Sequence, residues 1–280
     1  MIRPGTFNSL TLLRRDDKGG WLDADTYGEV LLPARQMPAD SVPGSQISVF
    51  VLLDDGELTV TTVKPHALVG EFVGLKVVSV TRLGAFLDWG LKKDLFVPTR
   101  EQAVPMQVGK YYVVHLYLDY EGRVAASSKL DRFLTEGWPE YERGAQVKLL
   151  PYAQTPMGFK CIVDGRFIGM LFRNELFGRV TMGRDTVGYV RQVREDGKLD
   201  LTLTQTGKAG SDQAGDKILQ VLQRKGGFMP VGDKSAPELI SQLFNMSKGS
   251  FKKAIGGLYK QGLIAIEEDG IRLTAPVDHD

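Results

Sequence analysis

Two aromatic residues, Trp21 and Phe86, stand at the same place in a stretch that the chain spells twice. The copies are Lys18-Gly19-Gly20-Trp21-Leu22-Asp23 and Leu83-Gly84-Ala85-Phe86-Leu87-Asp88. Two arginines, Arg35 and Arg100, form a second equivalent pair, in Leu31-Leu32-Pro33-Ala34-Arg35 and Phe96-Val97-Pro98-Thr99-Arg100. A ring on a strand with a cation at the strand's end is what holds single-stranded nucleic acid: bases stack on the ring and the cation neutralises phosphate. Such rings also serve as core, since aromatics dominate small cores. Strand alternation alone does not say which face they take.

A third, looser copy begins near Gly158. There Phe159 comes one step earlier than Phe86, so either the register differs or Lys160 takes the exposed place. This copy is rich in arginine, with Arg166, Arg173, Arg179, Arg184, Arg191 and Arg194, interleaved with acids such as Asp164, Glu175 and Asp185. Arginine both pairs with phosphate and stacks on bases. Further on, Lys248, Lys252, Lys253 and Lys260 lie in a stretch with no acid between Ser247 and Gln261. The candidate nucleic-acid-binding residues are therefore Trp21, Arg35, Phe86, Arg100, Phe159, Lys160, Arg166, Arg173, Lys248, Lys252 and Lys253.

Nothing comparable points to catalysis. Asp16-Asp17, Asp54-Asp55 and Glu267-Glu268-Asp269 fall at expected turn tips, where solvated carboxylates are the rule. His66 and His115 have no partner at nucleophile spacing. With three histidines and one cysteine, no His/Cys metal cluster is expected, and no phosphate loop or dinucleotide fingerprint is present. The expectation is a chain without catalytic residues, metal or cofactor. Thirty-five basic against 34 acidic residues leave a net charge of +1, so any basic faces are local. Cys161 alone cannot form an internal disulfide, which fits a reduced, cytoplasmic setting. No segment approaches the roughly 20 apolar residues of a spanning helix, so no membrane partner is expected.

These residues need strands to carry them. In the second copy, Gly74–Thr81, Gly84–Trp89, Asp94–Pro98, Tyr111–Asp119 and Arg123–Ser128 read as five short strands. Five strands in about 65 residues fit an OB-type barrel, whose second and third strands form the usual binding face. The expected boundaries are residues 1–66, 67–130 and 144–206 for three such barrels. Residues 129–143 read as a connector with helical potential, and Thr206–Asp212 as a polar linker. Beyond it the period changes. Helices are expected from Asp216, after Ser235 and from Ser247, followed by a hairpin turning at Asp269-Gly270. That order is a winged helix-turn-helix, placed at 213–275.

The paired Gly-Gly-Trp-Leu-Asp and Gly-Ala-Phe-Leu-Asp segments resemble the aromatic strand of ribosomal S1-type RNA-binding domains. Three such units plus a C-terminal winged helix resemble the conserved virulence factor B (CvfB/YitL-like) family, from about Arg3 to Thr274. The resemblance lies in domain order and repeat, and it implies a bacterial RNA-binding regulatory protein with no defining catalytic activity. The expected partner is single-stranded RNA, with the ribosome or RNA-processing proteins as further candidates and DNA less favoured. Two alternatives stand beside it: a DNA-binding transcription regulator that reads through the winged helix, and an interaction scaffold.

Overall fold

The computed structural model describes residues 1–54, 56–134, 137–173, 180–203 and 208–274. The chain divides into two compact units, Met1–Leu134 with Met182–Arg184, and Thr135–Thr181 with Asp185–Asp280.

The first unit holds two five-stranded sheets. The first is built from β1 (Phe7–Arg15), β2 (Gly19–Asp23), β3 (Glu29–Pro33), β4 (Gln46–Asp54) and β5 (Glu57–Thr61), in the order β3-β2-β1-β4-β5. It curls without a ladder between β3 and β5. Side chains replace that ladder: Thr61 Oγ1 (2.8 Å) and the Thr62 backbone N–H (3.0 Å) both donate to Gln36 Oε1. This sheet is thus a near-barrel, where a closed barrel was expected.

The second sheet, β6 (Phe72–Val80), β7 (Gly84–Asp88), β8 (Leu95–Pro98), β9 (Tyr111–Leu118) and β10 (Val124–Ser127), does close. Its last strand pairs in parallel with β8, Ala125 against Phe96. The first strand of each sheet is bulged, between Leu12 and Arg14 and between Val77 and Ser79. Such a bulge bends and twists the strand, which helps it serve both halves of a barrel.

Strand alternation sends Leu12, Leu22, Leu32, Val49 and Val51 inside the first sheet, and Val77, Leu87, Leu95, Val97 and Leu116 inside the second. Phe50 breaks the pattern. It points out of its own sheet yet is 0% exposed, because it packs edge-on against Trp89 of the second barrel, with ring centroids 5.8 Å apart. Phe7 backs it at 5.6 Å. The two sheets therefore share buried surface and form one body.

The second unit opens with a closed barrel of β11 (Gln146–Thr155), β12 (Gly158–Val163), β13 (Phe167–Phe172), β14 (Thr186–Val193) and β15 (Leu199–Thr202). Its first strand carries the same bulge, between Pro151 and Ala153. Among the described residues of the connector before it, the helical element is a short 3-10 turn at Leu130–Phe133.

The winged helix follows: α1 (Lys208–Arg224), β16 (Phe228–Met229), α2 (Pro237–Phe244), α3 (Lys248–Lys260), β17 (Ile264–Ile266) and β18 (Ile271–Leu273), with sheet order β16-β18-β17. The expected linker is corrected in part, since Lys208–Asp212 belong to α1. Thr206 and Gly207 lie outside the described residues. Pro237 opens α2, where a missing N–H costs nothing. Ser247 caps α3 by accepting the Ser250 N–H at 2.9 Å. Phe251, Ala254, Ile255 and Leu258 are buried at the helical spacing expected.

Candidate nucleic-acid interface

The glycine at the start of each second strand aligns the three barrels. Gly19 pairs with Pro33, Gly84 with Pro98 and Gly158 with Phe172. A Cβ there would sit 2.1, 2.3 and 1.9 Å from the carbonyl oxygens of Leu32, Val97 and Leu171. No side chain fits at that approach, which is why the residue recurs. Two residues on, the outward positions are Trp21, Phe86 and Lys160, facing Leu31, Phe96 and Met170.

In the second barrel the outward pair is aromatic. Phe86 and Phe96 are both half-buried, with centroids 5.1 Å apart and planes inclined at 40°. Gly84 makes room for this, since a Cβ there would also meet the Phe96 ring at 2.6 Å. Phe96 is absent from the sequence-derived candidates. The signal that identifies it is its equivalence to Leu31, together with the in-register pairing of β7 and β8. Arg100 is exposed in the 3-10 turn that directly follows β8.

In the first barrel Trp21 is also half-buried but already engaged. Its indole N–H donates to Asp16 Oδ2 at 2.6 Å, and the Arg14 guanidinium lies 4.5 Å from its ring centroid. Arg14 is held in turn by Glu29 at 2.8 Å and Asp16 at 3.5 Å. The indole hydrogen bond is the largest influence holding the Asp16 carboxyl below its ordinary 3.8. Arg35 is exposed at the place equivalent to Arg100.

In the third barrel the register matches the other two, and Lys160 takes the outward place. Phe159 points the other way and packs against the barrel core, so its place as a stacking residue is corrected. Alternation requires this: one step along a strand is the opposite face. Arg166 is exposed in the β12–β13 turn, its guanidinium 5.4 Å from the Phe167 ring. Arg173 is exposed at the end of β13. Arg194 is half-buried, bonded to Asp200 at 2.5 Å and lying 5.4 Å from the Phe172 ring. Arg179 falls outside the described residues.

On α3, Lys252 and Lys253 are exposed and Lys248 is half-buried. Lys252 lies 3.7 Å from Asp233. The hairpin of β17 and β18 offers little to a phosphate. Its strand cation, Arg272, is bound to Glu267 at 2.7 and 3.1 Å and lies over Phe228 at 4.4 Å. Glu268 and Asp269 are exposed at its tip. Among the described residues no group of three His, Cys, Asp or Glu is arranged to hold a metal ion, and no helix is long and apolar enough to cross a membrane.

Comparison with known proteins matches the domain order described above. Residues 4–63 and 69–129 each match the family model of the S1 domain, and residues 216–273 match that of the CvfB-like winged helix domain. Conserved virulence factor B of Staphylococcus aureus (strain USA300) is 30% identical over 240 residues, covering 82% of this chain and 80% of that protein. The uncharacterized protein YitL of Bacillus subtilis is 29% identical over 279 residues, covering 96% and 93%. Among solved structures, a multidomain protein with nucleic acid binding domains from Streptococcus pneumoniae aligns over 97% of this chain and 98% of that one, at 24% identity and a TM-score of 0.44. The S1 and winged-helix domains support nucleic-acid binding by this chain.

Proposed function

Because the chain belongs to the conserved virulence factor B family, we propose that it is a non-enzymatic protein that binds single-stranded RNA across its tandem barrels, with α3 adding cations. The observation that carries this reading is the Phe86–Phe96 pair, two rings half-exposed on the outer face of β7 and β8 with Arg100 at the strand's end. Rings of this kind accept any base, because every base has a π-face. Lys160 and Arg35, at equivalent positions of the other barrels, supply charge more than stacking. A post-transcriptional regulatory role in the cytoplasm, with ribosomal or RNA-processing partners, follows from this reading.

Duplex DNA is a poorer fit. A winged helix reads duplex through α3 and its hairpin. Here α3 offers lysines but neither the Arg fork that pairs bidentately with guanine nor the Asn or Gln that reads adenine, and the hairpin tip is acidic.

Fluorescence anisotropy of the intact chain with a labelled single-stranded RNA at low salt tests the proposal. Saturable binding is expected. Replacing both rings (Phe86→Ala with Phe96→Ala) should weaken it by about tenfold or more, since stacking contributes about 1–3 kcal/mol per base. Absence of saturable binding at low salt overturns the reading.

A further inference from the structure

A cleft lies in the second unit, away from the outer face of β12 and β13. Its walls are the segment leading into β11 and the strand β14, and it is a groove open to solvent that offers about 790 Å³. Trp138 lines it and is 61% exposed. An indole left this open forgoes the burial that usually stabilises it. Arg143 and Arg191, both exposed, line the same cleft with Gln192, Glu140 and Glu142.

The walls are tied down. Pro139 is buried, the Tyr141 hydroxyl donates to Asp164 Oδ2 at 2.7 Å, and the Tyr141 ring meets Phe167 edge-on at 5.9 Å. The Gly144 N–H donates to the Val190 carbonyl at 2.7 Å. The Gln192 amide nitrogen donates to Asp200 Oδ2 at 2.8 Å.

We propose that this cleft takes one unpaired nucleobase of the bound RNA, stacked on Trp138, with the adjoining phosphate at Arg143 and Arg191. This rests on the RNA-binding reading above and adds to it a contact off the usual barrel face. An indole accepts any base by stacking, and planar guanidinium groups suit phosphate geometry. Two arginines against two glutamates leave the lining nearly neutral, so the base contributes more than the phosphate. The contact should therefore respond weakly to salt.

Anisotropy with a labelled single-stranded RNA, using the full chain, tests this. Trp138→Ala should weaken binding by about tenfold, the size expected for one lost stack. Trp138→Phe, which keeps a ring, should restore most of the affinity, and the salt dependence should be nearly unchanged. Because Trp138 is exposed, thermal unfolding should be unaltered in both variants. In a Trp21→Phe chain the remaining tryptophans are buried Trp89 and Trp138, so RNA should quench the exposed one. If the wild-type chain binds RNA while Trp138→Ala binds equally well, the cleft proposal falls and the barrel reading stands. A protein occupant of the cleft would give that same result. If the wild-type chain binds no RNA, both fall.

Discussion

Trp21 and Phe86 hold the same place in two repeats, yet their neighbours make them different surfaces. Trp21 is clamped between Asp16 and the Arg14 guanidinium, so a base stacking there must share or displace a cation. Phe86 meets only another ring at its in-register partner, Phe96. His115 shows a residue whose surroundings decide its charge. It is buried on the outside of β9 between Phe72 and Phe133, at centroid distances of 4.6 and 4.0 Å, and its Nδ1 finds no hydrogen-bond partner among the described residues. Burial pushes its pKa below 6.5; a backbone hydrogen bond at Gly70 opposes this and the Arg132 charge adds to it. The folded state thus prefers the neutral imidazole, while the unfolded chain takes up a proton near pH 6.5. Stability is full above that pH and is lost as pH falls through it toward the lower folded pKa. Urea unfolding followed by tryptophan fluorescence should show the wild-type midpoint dropping between pH 7.5 and 5.5. His115→Phe should show a smaller drop. Equal drops would mean that other groups carry the acid sensitivity.

At the level of strands and helices, the repeated glycine is a packing requirement rather than a flexible point. Gly84→Ala would drive a Cβ into the Val97 carbonyl and the Phe96 ring, and should destabilise the second barrel by about 1–3 kcal/mol. Gly256 of α3 is the contrasting case. A Cβ there meets nothing within 4 Å, so Gly256→Ala should be neutral or stabilise the winged helix by up to about 1 kcal/mol. Thermal unfolding of both variants checks the pair, and a neutral Gly84→Ala would remove the steric account of the motif. Most strands were legible from alternation and turn residues. The two-residue β16 was not, because two residues carry no period. The start of α1 was misread because Gly207, Gly210 and Ser211 have linker composition, whereas helix formation propagates cooperatively from the amphipathic turns that follow.

Across the whole molecule, binding strength is a matter of linkage. With a net charge of +1 any basic faces are local, and covalent linkage raises the effective concentration of each weak contact for the next. Within the first unit the linkage is also physical. Phe50 and Trp89 are 0% and 3% exposed and join two sheets that sequence reading treated as separate modules. Phe50→Ala should cost about 3–5 kcal/mol and should split the first unit's calorimetric unfolding into two transitions. A single transition would show that the remaining contacts suffice to couple the sheets.

The sequence by itself determined the repeat, the strand and helix order, the family and the helical face of α3. Each is written in local periodicity or in the spacing of similar segments. Tertiary structure alone decided which ring faces which neighbour. It turned Phe159 inward and Lys160 outward, set Phe96 beside Phe86, committed Trp21 to Arg14, buried Phe50 against Trp89 and opened the cleft at Trp138. All of these depend on strand register and on partners distant along the chain, and no local pattern encodes either.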